Sequence, residues 1–209
     1  MKIIRRSVFE TNSSSTHALA ITKSNENLNK PSLISLDYDG EYGWEYKTLN
    51  DLDSKFTYLA ILASYVDTLK NTPERIEWYT KRKDIKLEQV ELRFFIDKLK
   101  DLGFTFKDEE KIISKLTEQD SYYDYYIDHG YEAIDIYFSI ISDEDRLKRF
   151  LLSPKSFITT GNDNSEKSIW EDPNAEYGLG LTSSVTEWGS VNYNIKPLEG
   201  KFEIFYKGN

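Results

Sequence analysis

Cysteine is absent from the 209-residue chain. Its absence excludes disulfides, thiolate nucleophiles and cysteine-ligated metals, and leaves the protein indifferent to redox compartment. Long apolar runs are also missing: no stretch approaches the ~20 residues that cross a bilayer. The basic N-terminus "MKIIRRSVFETNSS" has no apolar segment after it. Neither a signal peptide nor a membrane partner is therefore expected, and the chain is read as cytoplasmic. Positive charge is scarce, with 27 Lys and Arg against 36 Asp and Glu and a net charge of −9. Phosphate affinity comes from Lys and Arg, so direct nucleic-acid binding is disfavoured. Histidine is limited to His17 and His129. There is no Walker A loop, GxGxxG turn, HExxH helix or GxSxG elbow, so the familiar catalytic signatures are missing.

What is present is a globular composition, 39% apolar, with aromatic content raised to 14% chiefly by 15 tyrosines. A chain of this length removes ~70% of its extended surface from water, enough for a real core. "KIIRRSVFE" (2–10), "ALAIT" (18–22) and "SLISLDYD" (32–39) read as strands. Asn50 or Thr48 can cap a helix running to about Lys70, with Leu52, Phe56, Leu59, Ala63 and Val66 forming its apolar stripe. Further helices are expected from Pro73, over 86–102 with Gly103 as C-cap, and over "KDEEKIISKLT". "SYYDYYID" (121–128) reads as a strand. Ser142 with Asp145 resembles a capping box that opens a helix ended by Pro154, and "KSFITT" and "KFEIFYK" are the last strands. This order predicts an α+β fold whose mixed or antiparallel sheet is formed from N- and C-terminal strands, with a central helical region. It fits a single domain over 1–209, with about 49–117 as the one stretch that could be a helical insertion.

Three polar motifs carry the chemistry. The first is "NSSSTH", in which Asn12, Ser13, Ser14, Ser15, Thr16 and His17 follow one another in an expected loop between strands. Hydroxyls and an amide there can bind phosphate or carboxylate oxygens, and Arg5 or Arg6 can add a cation. The alternative is an ST-rich turn with His17 packed on a neighbour. The second motif is "IDHG", in which Asp128 can orient His129 or share a metal with it; the alternative is an exposed turn. The third is "TTGNDNSE", a turn signal that also concentrates Asn162, Asp163 and Asn164 at a strand end. Each histidine falls inside one of these motifs. His17, His129, Asp128 and Asp163 would together suit general acid–base work or a divalent metal such as Mn²⁺, Mg²⁺ or a weakly held Zn²⁺.

The run "RRSVFETNSSSTHALAI" resembles the opening of a family of small proteins from bacteriophages and related mobile elements, chiefly of AT-rich Firmicutes. "DHG" and "FITTGNDN" are similar to later blocks of that family. The resemblance implies a genomic setting, and hence host-cell cytoplasm. It carries over neither a reaction nor a catalytic residue.

Two functions follow as expectations. One is a phage-type accessory protein acting on a host or defence component, an anti-defence or host-takeover factor whose working site is the polar pocket. Its partner surface would be the segment from Asp108 to Asp145, where twelve carboxylates stand against Lys111 and Lys115 alone. Such a face can imitate a phosphate backbone, although a solvated face is the plainer reading. The other is a phosphoester- or nucleotide-directed hydrolase, or a nucleotide-binding protein. It would use His17, His129 and Asp128 catalytically and the flanking hydroxyls and amides for a small phosphorylated ligand.

Overall fold

A computed structural model describes residues 15–37, 40–43, 47–69, 91–117, 125–127, 130–162, 182–185, 191–194 and 201–207. Ten strands and five α-helices occur among these residues. In chain order they are β1 (Ser15–Thr22), β2 (Leu33–Ile34), β3 (Gly40–Tyr42), β4 (Lys47–Leu49), α1 (Leu52–Leu69), α2 (Leu92–Asp101), β5 (Thr105–Phe106) and α3 (Glu109–Thr117). They continue with β6 (Tyr125–Ile127), a 3₁₀ turn (Gly130–Ala133), α4 (Ile134–Ile141), α5 (Glu144–Leu152), β7 (Phe157–Asn162), β8 (Thr182–Val185), β9 (Val191–Asn194) and β10 (Phe202–Lys207). The expected strand at 2–10 and the helix at Pro73 lie outside the described residues. No helix among the described residues is long and apolar enough to cross a membrane.

The main sheet has four strands in the order β10-β1-β7-β4, and every neighbouring pair is antiparallel. The first described strand therefore sits between two strands from the C-terminal half, and the helices come from the chain between them. This is an α+β fold. In β1, Leu19 and Ile21 alternate with Ala18 and Ala20, and all four are buried. A strand buried on both faces needs apolar residues throughout rather than alternation. The strand also begins at Ser15, earlier than the apolar pattern indicates, because Ser15, Thr16 and His17 have register partners on β7.

Helix α1 is the centre of the core. The sequence pattern predicts one apolar stripe, but every residue from Ser54 to Val66 is buried, including Lys55, Thr57 and Ser64. Its polar side chains lie inside because they are hydrogen-bonded. The Asp51 carboxylate accepts from Ser54 N at 2.8 Å and so caps the helix, in place of the expected Asn50 or Thr48. Asp53 accepts from Ser35 N at 2.9 Å and Thr57 Oγ1 from Asp37 N at 2.8 Å. The backbone donors of Ser35 and Asp37 thus bind helix side chains, and of the expected strand at 32–39 only β2 forms among the described residues, 38–39 lying outside them.

The apolar side of α1 meets α2 through stacked Phe56 and Phe95, 6.0 Å between centroids, and Phe95 meets Tyr137 of α4 edge-on at 5.7 Å. Helix α2 ends as expected at Gly103, whose φ of +91° is reached without strain by glycine. Phe104 N donates to Leu99 O and Gly103 N to Lys100 O, which closes a Schellman motif. Asp143 caps α5 through Arg146 N at 2.9 Å, one residue after the expected Ser142. Ser142 ends α4 instead, its own N–H donating to Phe138 O.

Candidate functional site

Pairing of β1 with β7 joins two of the three polar motifs. Ser15 is the register partner of Asn162, Thr16 of Gly161 and His17 of Thr160. Residues two apart in a strand share a face, so His17 and Thr160 lie on the side of the sheet that carries Leu19 and Ile158. That side faces the core, and both polar residues are completely buried. One row further in, the ladder is apolar: Phe205, Leu19, Ile158 and Leu49 are successive partners across the four strands. At the His17 row the partners are Lys207, His17, Thr160 and Lys47. The sheet's inner face thus changes from hydrocarbon to polar groups at one end, with a lysine at each edge position of the row.

Helix α1 places Tyr58 at this end, and β3 places Tyr42 against it. The Tyr58 ring lies 6.0 Å from the His17 ring and 5.3 Å from Tyr42, which it meets edge-on. Tyr42 is satisfied, since its hydroxyl donates to Ser54 O at 2.9 Å. Tyr58 is not. It is fully buried, and its hydroxyl has no hydrogen-bond partner among the described residues. Leaving such a group unmatched costs about 1–3 kcal/mol, so a vacant donor at this position calls for an explanation. Burial, reinforced by the neighbouring Tyr65, holds the Tyr58 phenol far above the usual tyrosine range. Burial thus favours its neutral, hydrogen-donating form.

Tyr65, seven residues on, lies two turns along α1, ~10 Å away. Its hydroxyl accepts from Ile127 N at 3.0 Å, and its ring packs against Gly130. The two described residues that bracket Asp128 and His129 are therefore held by the same helix that carries Tyr58.

Of the residues singled out from the sequence, His17, Ser15, Thr16 and Asn162 are brought to the common end of β1 and β7. Asn12, Ser13, Ser14, Asp128, His129, Asp163 and Asn164 lie outside the described residues, as do Arg5 and Arg6. Among the described residues no group of three His, Asp or Glu side chains is placed to hold a metal ion. Sequence reasoning missed Tyr58, Tyr42 and Thr160. The available signal was a pair of tyrosines, Tyr58 and Tyr65, spaced two turns apart inside an otherwise apolar helix.

The acidic segment from 108 to 145 has a local structural account. Six of its described carboxylates stand in two groups at helix starts, Asp108, Glu109 and Glu110 at α3 and Asp143, Glu144 and Asp145 at α5, and Asp135 lies in the first turn of α4. Negative charge is favourable at a helix N-terminus. Several are also paired: Glu109 with Lys100 at 2.6 Å, Glu110 with Arg93 at 3.7 Å and Glu144 with Lys148 at 2.6 Å. Between the two groups runs α4, whose Ile134, Ile136, Tyr137, Phe138, Ile140 and Ile141 are core residues.

A buried imidazole and a buried threonine hydroxyl at one sheet end, near a buried phenol, are groups that can hydrogen-bond a small oxyanion and move a proton. No family model matches the chain, and no curated protein or solved structure is significantly similar to it.

Proposed function

We propose that the protein binds a small phosphorylated ligand, of the phosphoester or nucleotide class, at the polar end of the sheet. The observation that carries this reading is the register of Ser15 with Asn162 and His17 with Thr160, beside the buried and unpartnered Tyr58 hydroxyl. In this reading Ser15, Thr16 and Asn162 supply donors to phosphate oxygens, and Tyr58 supplies a further neutral donor. His17 is the proton carrier if the ligand is hydrolysed, with His129, Asp128, Asp163 and the remaining polar residues of the three motifs completing the pocket. The genomic setting implied by the N-terminal resemblance makes the protein an accessory, host-directed factor that sequesters or degrades such a ligand. That part of the reading draws nothing from the acidic segment.

The test is isothermal titration calorimetry with AMP, ATP and inorganic phosphate, on the wild type and on Tyr58→Phe. Phenylalanine keeps the ring and removes only the vacant hydroxyl, so the free variant should be as stable as the wild type or slightly more so. Its affinity should fall about tenfold, the equivalent of one lost hydrogen bond. Saturable binding that is equally strong in Tyr58→Phe would remove Tyr58 from the site. Absence of saturable binding in the wild type would refute the proposal.

A further inference from the structure

A second site is carried by side chains that the sheet-end reading does not use. Segment 35–36, the start of α3 and strand β6 enclose a cavity of about 390 Å³. Lys107, Lys111 and Lys115 line it, together with Asp108, Ser35 and Tyr125. The lysines recur every four residues, so they form one stripe along the helix and its approach. Two of them are the only bases in the stretch that holds twelve carboxylates between Asp108 and Asp145.

The stripe is unusual because it has no ion pair among the described residues. Most cations on the neighbouring helices have a carboxylate: Arg93 with Glu110, Lys100 with Asp97 and Glu109, Arg146 with Glu203, Lys148 with Glu144. None of Lys107, Lys111 and Lys115 forms a salt bridge among the described residues, although acidic residues outnumber basic ones in the chain. Like charges one helical turn apart repel. Lys115 is held over the Tyr125 ring at 5.3 Å, which keeps its ammonium at the cavity without neutralising it. The one carboxylate in the wall, Asp108, faces the start of α3, where its Oδ1 accepts from Lys111 N at 3.3 Å. The Ser35 hydroxyl is committed as a donor to Asp53 at 2.7 Å. Among the described residues of the wall, three ammonium groups stand against one carboxylate, an excess of two positive charges.

From this arrangement we infer that the cavity is a binding site for a small organic phosphate. A dianionic phosphate group matches the charge of the wall, and charge-assisted hydrogen bonds from ammonium groups are its ordinary partners. The rest of the wall is apolar, with Ile112 buried and Leu36 and Tyr125 half-buried. That surface takes the organic part, and the volume lies within the ~300–1,000 Å³ typical of small-molecule cavities. The site shares no residue with the sheet end and stands independently of the function proposed there.

Titration calorimetry with inorganic pyrophosphate probes it directly, on the wild type, on the double variant Lys111→Gln/Lys115→Gln and on Tyr58→Phe. Wild type should bind pyrophosphate at the cavity, and Tyr58→Phe should keep that equivalent, since only binding at the sheet end depends on Tyr58. The double variant should bind at least about tenfold more weakly, the equivalent of one or more lost charge-assisted contacts. Its melting temperature should change little, because neither lysine has an ion pair among the described residues and only the Lys115–Tyr125 contact is lost. Raising the salt from 50 to 500 mM should weaken the wild-type complex, as expected of an exposed charge site. The inference is overturned if the wild type gives no saturable heat, or if the double variant binds as tightly as the wild type. It is also overturned if Tyr58→Phe alone abolishes binding, which would assign the pyrophosphate to the sheet end. Should the double variant fail to fold, Lys107→Gln, which precedes the helix, repeats the comparison.

Discussion

Replacing Lys55 with methionine should change the pH dependence of stability in a direction fixed by the structure. Lys55 leaves the first turn of α1 for the interior, where it is 1% exposed. Its Nζ donates to Ser153 O at 2.9 Å and Ser156 O at 3.4 Å, and lies 6.0 Å from the centre of the Phe150 ring. Two carbonyls and an aromatic face do not replace the hydration of an ammonium ion. Burial accordingly pulls the amine down from 10.5 to about 8, against a smaller opposing pull from Asp51. In the unfolded chain the amine regains its ordinary value.

Below about pH 8 the group is charged in both states, and folding carries the full cost of burying that charge. Between about 8 and 10.5 the unfolded chain binds a proton that the folded chain has released. Stability must then rise with pH, at up to about 1.4 kcal/mol per unit. Between pH 7 and pH 10 the gain from this one group is about 2–3 kcal/mol. Tyr58 and Tyr137 act in the opposite sense above pH 10, since burial raises both phenols in the folded state only. They are present in both proteins, and the wild-type-minus-variant difference removes them. Urea denaturation of wild type and Lys55→Met at pH 7, 8, 9 and 10, followed by far-UV circular dichroism, measures that difference. It should move in favour of the wild type by about 2–3 kcal/mol across the series. A difference that stays constant would show that Lys55 titrates as a hydrated lysine, and the account of α1 as a helix buried on all sides would fail with it.

Two packing predictions follow from single residues. A Cβ at Gly130 would overlap Tyr65 Cε2 and lie 3.1 Å from Ile127 Cβ, and the ring has little room to yield because its hydroxyl is bonded to Ile127 N. Gly130→Ala should therefore cost about 1–3 kcal/mol, read as a lower melting temperature, and an unchanged melt would contradict the contact. Glu203 on β10 receives Arg146 Nε at 2.7 Å and Arg149 at 2.8 Å, clamping α5 to the sheet, and its side chain is 23% exposed. Glu203→Gln should cost about 2 kcal/mol in urea denaturation by weakening two charge-assisted bonds, and no loss would mean the clamp is solvent-screened.

How legible the fold was depended on where each backbone group found its partner. Helix α2 and its end at Gly103 could be read directly, because the apolar period and the glycine act within a few residues of each other. Strand 32–39 could not. Its alternation is real, but the N–H groups of Ser35 and Asp37 bind Asp53 and Thr57, side chains a full helix start away. The same long-range satisfaction hid the character of α1. Lys55, Ser54 and Thr57 are polar by type and interior by position, and hydropathy alone assigns such residues to the surface. Ser142 failed as a cap for a local reason: it had already ended α4, and Asp143 was the next side chain able to accept.

The candidate site divides in the same way. "NSSSTH" and "TTGNDNSE" stood out because each concentrates more polar groups than a turn needs, and that excess is a local property. Their meeting is not local, since it depends on β1 lying between β10 and β7. The Tyr58 hydroxyl is the hardest element to see in advance. A buried tyrosine ordinarily finds a partner for its oxygen, as Tyr65 on the same helix and Tyr42 on β3 do. Only the packed structure separates the satisfied phenols from the vacant one. The Tyr58 ring lies 6.0 Å from the His17 ring, at the row where the inner face of the sheet turns from hydrocarbon to polar groups.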